Sequence, residues 1–269
     1  MSYPLLRLIE LINNMKKTLI LVTNDDGITA PGIKALIEVA REFGEVVVVA
    51  PDSPRSAQGH AITITDPLRL KKVDIFDGLE AYECSGTPVD CVKLAKAVIL
   101  KDRTPDLCVS GINHGSNASI NIFYSGTMSA AMEAAMEGVN SIGFSLMDFS
   151  WKADFSATQT YARQIIAHTL KHGLGETKLL NVNIPKLPEN ELKGIKICHQ
   201  ADAEWIENYQ EMEAPHGQKV YWLTGEFVNH DQSPNSDIRA LSEGYVSVVP
   251  CGFDLTKREA ISGLKGLEK

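Results

Sequence analysis

Along the first two-thirds of the chain, short runs that are mostly apolar on both faces alternate with longer segments that are apolar on one side only. "TLILVT" (18–23), "EVVVVA" (45–50), "PDLCVSG" (105–111) and "SIGFSL" (141–146) are runs of the first kind. Rich in β-branched residues and lacking a period of two, they predict strands covered on both faces. Between the first two, Ile33, Leu36, Ile37 and Ala40 recur at helical spacing behind Pro31, a residue suited to the first turn of a helix. Strand, helix, strand implies a parallel pair. Further helices are predicted from Thr87, as cap ahead of Pro88, Val89 and Asp90, to about Leu100; from the start of "GTMSAAMEAAMEG"; and over 154–172. "AITIT" (61–65), "LRLKK" (68–72) and "AYECS" (81–85) alternate between turn residues, which predicts an antiparallel excursion or strand extensions. After Pro185 the alternation lapses, leaving short strands at "GIKIC", "KVYWL" and "YVSVV" among polar stretches.

This pattern predicts an α/β fold with a doubly wound, mostly parallel Rossmann-like sheet. The expected division is an N-terminal extension (1–14), a core (15–185), and a C-terminal β-rich extension or arm (186–269) ending in a helix. The segment "MSYPLLRLIELINN" is apolar but broken by Glu10 and followed by no small-residue cleavage site, unlike a secretory signal. Met15 would itself make a plausible start.

In an open parallel sheet, ligands bind beyond the carboxyl ends of the strands, so the residues standing there carry the functional reading. After the first strand come Asn24, Asp25 and Asp26; after the second, "PDSPRSAQGH" with Ser53, Ser56 and His60; after the strand at 106–109, "SGINHGSN" with Ser110, Asn113, His114 and Asn117. Adjacent carboxylates repel unless a cation, a proton or water relieves them. The set is built of acids and neutral oxygens, which hard divalent cations such as Mg²⁺ or Mn²⁺ prefer, whereas zinc favours imidazole and thiolate. An Asp-Gly step also makes an ordinary turn; its place after a buried first strand favours the cation. In "YSGTMSAAMEAAMEG" (124–138), Ser125, Gly126 and Thr127 open a helix whose free N–H groups suit a phosphate, although Ser125 also reads as a plain cap. His168 and His172, four apart, lack a third ligand, and Asp237, in a polar stretch that reads as a loop, is a possible contributor from a neighbouring lobe.

Composition narrows the classes. A formal charge of -8 disfavours polymeric nucleic acid and anionic membranes, and no apolar run is long enough to span a bilayer. The five cysteines contain no C-x-x-C pair and sit mostly in apolar runs, which suits reduced thiols in a cytoplasmic protein. No G-x-x-x-x-G-K-[ST] loop is present.

Five ordered stretches, "TNDDGITAPGI", "APDSPRSAQGHAIT", "CSGTPVDCV", "DLCVSGINHGSN" and "YSGTMSAAMEA", closely resemble the survival protein SurE family of metal-dependent nucleotidases. A looser match in "SDIRALSEGYVSVVPCGFDLT" extends the likeness towards the C-terminus. The resemblance implies one divalent metal (Mg²⁺ or Mn²⁺) held by Asp25, Asp26, Ser56 and Asn113, with Asp25 and Asp26 also catalytic. It implies hydrolysis of nucleoside 5'- and 3'-monophosphates, a polyphosphate side activity in some members, and dimers or tetramers that exchange C-terminal segments. Ser125, Gly126, Thr127 and Asn117 are the candidates for holding substrate. The chain departs from the family pattern at Met128, Ala57 and "VSVVPC", none of them a proposed ligand. Three rivals stand beside this reading. A signalling receiver domain would need an aspartate where "DLCVSGIN" has Ser and Asn. Asp25 as a covalent nucleophile is the second, and a metal-dependent binder without turnover is the third.

Overall fold

The structure is a computed structural model describing residues 17–268; the extension expected over 1–14 lies outside the described residues. Strand β1 (Leu19–Thr23) is central, with β2 (Glu45–Pro51) on one side and β5 (Leu107–His114) on the other, both parallel to it. With β3 (Leu70–Val73), β4 (Glu80–Cys84), β6 (Ser141–Leu146), β7 (Leu179–Ile184), β8 (Ile195–Ile197) and β11 (Val246–Cys251), the sheet has nine strands in the order β3-β4-β2-β1-β5-β6-β7-β11-β8. The chain winds outward from β1 to one side and returns to fill the other. The crevice between the ends of β1 and β5 is therefore the switch point at which such sheets bind ligands.

The apolar runs are continuous because each strand feeds two cores. Ile20 and Val22 pack with Ile33 and Leu36 of α1 (Pro31–Ala40) and with Ile165 and Ile166 of α4 (Ser156–His172). Leu19 and Leu21 face the other way, onto Val92 of α2 (Pro88–Leu94) and Ala130 and Ala134 of α3 (Gly126–Met136). Two helices on each face make the sheet doubly wound, as the pattern predicts.

Two expectations need correction, and a third, the helix from Thr87 to about Leu100, holds with a change of helix type. Residues 61–65 form no strand; their apolar residues Ile62 and Ile64 are exposed, and the segment is held by side chains, Thr63 on Asp90 and Thr87 on Ala61. The helix from Thr87 closes its α-helical part at Leu94 and continues to Leu100 as a wider π-helical turn. The sheet also does not end near residue 185: β11 pairs antiparallel with β7, and β8 parallel with β11. Only β9 (Ala203–Glu213) and β10 (Lys219–Asn229) leave it, as a separate antiparallel hairpin. Short helices α5 (Asp237–Ser242) and α6 (Arg258–Leu264) complete the described chain. Among the described residues no helix is long and apolar enough to cross a membrane.

Candidate metal centre

Asn24 closes the turn after β1, its Nδ2 donating to the Gly27 carbonyl at 2.9 Å, and this projects the two acids from the end of the strand. Asp25 is buried and Asp26 half-buried. Burial, then repulsion from Asp26, pushes the Asp25 carboxyl up to about 6, although Thr127 hydrogen-bonds to it. Burial likewise raises Asp26, partly offset by the His114 N–H, which donates to its Oδ2 at 3.3 Å. Two carboxylates held together in this way disfavour their own ionisation, and a bound cation would reverse that.

Asn113 arrives at the same edge through an irregularity in β5. Its register against β6 shifts between Ser110 and Asn113, and Gly111 has φ +128°, with its α-carbon so close to the Phe144 carbonyl that a side chain there would clash. The Asn113 Nδ2 donates to the carbonyls of Gly115 (2.9 Å) and His114 (3.3 Å). No hydrogen bond among the described residues engages its Oδ1, a hard oxygen.

Helix α3 supplies the opposite wall. Ser125 caps it, its Oγ accepting from the Met128 N–H at 3.0 Å, and the hydroxyl of Thr127 donates to Asp25 Oδ1. A β-carbon on Gly126 would lie 2.7 Å from that of Asp25, so only glycine lets the helix start this close to the acid. Thr127 thus has its hydroxyl committed to Asp25, and what this turn offers an anion is chiefly backbone N–H at the positive end of a helix.

The remaining candidates are less tightly gathered. Ser56 is exposed on the loop after β2, brought near by the Arg55 N–H, which donates to the Asp25 carbonyl at 2.7 Å. Asn117 is spent on a buried network: Nδ2 to Ser145 Oγ (2.8 Å), backbone N–H to Asn183 Oδ1 (2.8 Å), and carbonyl to Asn181. Asn181 and Asn183 went unread in the sequence, and their signal was two amides alternating inside the apolar "LLNVNI". Asp237 is fully buried, accepting from the backbone N–H groups of Ser119, Ala201 and Ile238; no contact joins it to the two acids. The rings of His168 and His172 lie 4.7 Å apart, tilted by 39° to each other.

Beneath the acids, Thr23 and Ser110, register partners on β1 and β5, and Asn24 each carry a buried side-chain oxygen with no hydrogen-bond partner. Buried polar atoms left so are uncommon and ask for an explanation. No group of three His, Cys, Asp or Glu side chains suited to a metal occurs among the described residues, so an ion here would have two carboxylates and otherwise neutral oxygens. By donor chemistry, Asp25, Asp26, Asn113 Oδ1 and the hydroxyl of Ser56, which follows the tethered Arg55, fit a hard divalent cation on those terms.

A family model described as Survival protein SurE matches residues 20–207. The chain belongs to the SurE family. Relatives within it include "5'-nucleotidase SurE" of Flavobacterium psychrophilum, 58% identical over 93% of this chain and 97% of its own. The protein of the same description from Bacteroides fragilis is 47% identical, over 94% and 98% respectively. The crystal structure of the SurE protein from Aquifex aeolicus superposes with a TM-score of 0.82 at 39% identity, covering 93% of this chain and all of that one. The SurE-family fold and the sheet described above therefore agree across nearly the whole length.

Proposed function

We propose that this SurE-family chain is a divalent-metal-dependent 5'-nucleotidase, hydrolysing nucleoside monophosphates to nucleoside and phosphate. The observation that carries the reading is the pair Asp25 and Asp26, ionisation-averse alone, set between the unspent Asn113 oxygen and the N-terminus of α3. The names of its relatives support the ester class. Asp25, Asp26, Ser56 and Asn113 are the residues that hold the ion, and Mg²⁺ and Mn²⁺ both suit them. An ion of that kind supplies positive charge for the phosphate oxygens and makes water a better nucleophile at neutral pH.

The chain's own residues divide the rest of the work. Backbone N–H groups at Gly126 and Thr127 orient the phosphate, and Ser125 fixes the helix start that presents them. Thr127 locks Asp25 in place through Oδ1. Asp26, more accessible and with Oδ2 turned to the His114 N–H, accepts the proton that water releases as its oxygen bonds to phosphorus. The phosphorus–ester oxygen bond breaks, and the nucleoside oxygen leaves with a proton from solvent. Asp25 as covalent nucleophile fits less well, because it is buried and walled by Gly126. Asn117 holds the floor of the site rather than the phosphate. The exposed rings of Phe149 and Trp151 lie against Gly115 and His114 and offer the nucleoside an apolar face.

Other features extend the reading. The projecting β9–β10 hairpin suits an arm exchanged between subunits of a dimer or tetramer, and five free cysteines suit a cytoplasmic setting. Phosphate release from a nucleoside monophosphate, measured with Mn²⁺ or Mg²⁺ and again with excess EDTA, tests the proposal. Release that disappears with EDTA is expected. Nucleotide binding without release under either metal would make the protein a binder and overturn the reading.

A further inference from the structure

The loop between β2 and β3 (52–69) carries Ser56 yet has neither helix nor strand, and most of its residues are exposed. Immediately after Ser56 the chain turns through left-handed conformations at Ala57 and Gly59 (φ 57° and 55°). Whatever aims the Ser56 hydroxyl must act through the points where this loop is tied down. Before Ser56 the tie is Arg55, whose N–H reaches the Asp25 carbonyl and whose guanidinium reaches the Ser85 carbonyl at 2.8 Å. After it, the Gly59 N–H donates to the Tyr124 carbonyl at 3.2 Å, and His60 Nε2 lies 2.9 Å from Glu133 Oε2. Glu133 only accepts, so Nε2 carries the proton.

Glu133 is buried on α3, two turns beyond Gly126. A buried carboxylate needs a partner, and Lys93 of α2 already provides one at Oε1. The second oxygen is therefore free to hold the loop. One helix thus grips two parts of the site: Thr127 in its first turn holds Asp25, and Glu133 holds the Ser56 loop. The alanine-rich sequence of α3 reads as close packing alone, which hides this second role.

We infer that His60 is a positioning residue: its bond to Glu133 sets the loop so that the Ser56 hydroxyl joins Asp25, Asp26 and Asn113, and so sets metal affinity. This rests on the assignment of Ser56 as a ligand. An ordinary, partly exposed ion pair would contribute little and would leave metal binding unchanged.

Mn²⁺ titrations of the full-length protein decide between these, read both as the rise in melting temperature and as the half-saturating Mn²⁺ for nucleoside monophosphate hydrolysis. His60→Ala should raise the half-saturating concentration in both assays by about tenfold, the usual scale for losing a group that orients a metal ligand. Turnover at saturating Mn²⁺ should stay within about twofold of wild type. His60→Gln, which keeps a donor, should recover most of the affinity. Ser56→Ala should weaken Mn²⁺ too, and adding His60→Ala to it should cost little more, because both changes remove one interaction. Unchanged Mn²⁺ affinity in His60→Ala, or full additivity in the double variant, overturns the inference. Unchanged affinity in Ser56→Ala, with loss in Asp25→Asn, overturns it through the ligand assignment while leaving the nucleotidase reading intact.

Discussion

Asp25 is where the demands of folding and of metal binding oppose each other most directly. Its carboxyl, ordinarily at 3.8, is pushed up to about 6 by burial and by Asp26. Between those two values the folded chain binds a proton that the unfolded chain has released, so without metal its stability falls as pH rises through the window. The shift of about two units corresponds to a loss on the order of 3 kcal/mol, complete above pH 6. Asp25→Asn removes the charge and keeps the shape. In EDTA the wild-type melting temperature should therefore fall between pH 4.5 and 7, while the Asn variant stays flatter and melts higher at pH 7.5. On adding Mn²⁺ the order should reverse, with stabilisation and turnover in the wild type only. A variant less stable than wild type in EDTA at pH 7.5 would show that the acid is not strained there.

At the scale of elements, legibility in the sequence followed burial. β1, β2, β5 and β6 stand out because residues such as Val47 and Val48 serve opposite cores, and no turn could carry so many β-branched side chains. Asp25, Asp26 and Asn113 are legible as strand-end residues from the sequence alone. Residues 61–65 misled because alternation is also what an extended loop shows when it is pinned by Asp90 and Thr87 rather than by a ladder. β9 was missed because "AEWIENYQEME" is mostly exposed, so no core leaves its imprint on it. Asp237 drew notice in the sequence as a possible site residue, and its structural role was illegible for a different reason: its partners are backbone groups at Ser119 and Ala201, 118 and 36 residues away. It pins α5 to the segment between β5 and α3. Asp237→Ala would leave those N–H groups buried and unpaired, at about 1–3 kcal/mol each. Urea unfolding should therefore show a loss of at least about 2 kcal/mol, with Asp237→Asn intermediate because one acceptor remains. A loss below about 1 kcal/mol would mean that the segment finds other partners.

For the whole molecule, the hairpin poses the remaining physical problem. Two strands alone are at best marginally stable in water, yet β9 and β10 pair over their full length. Successive side chains point to opposite faces, which places Ile206, Met212 and Trp222 on one side and Trp205, Tyr209 and Leu223 on the other, all exposed. Trp205 is tied down, stacking edge-on against Phe227 and donating to Asn121 at 2.8 Å; Trp222 and Leu223 are not among these contacts. A ribbon apolar on both faces is satisfied only by being enclosed, and exposed patches of this kind mark association surfaces. Sedimentation velocity at micromolar concentration should find a dimer or tetramer. Trp222→Glu and Leu223→Glu each remove about 2 kcal/mol of burial from one face. Together they should raise the dissociation constant at least about 100-fold and yield monomer, with the melting temperature of the sheet preserved because neither residue touches either of its cores. A monomeric wild type would remove the exchanged arm from the account, whereas a single variant acting alone would show that only one face of the ribbon is covered.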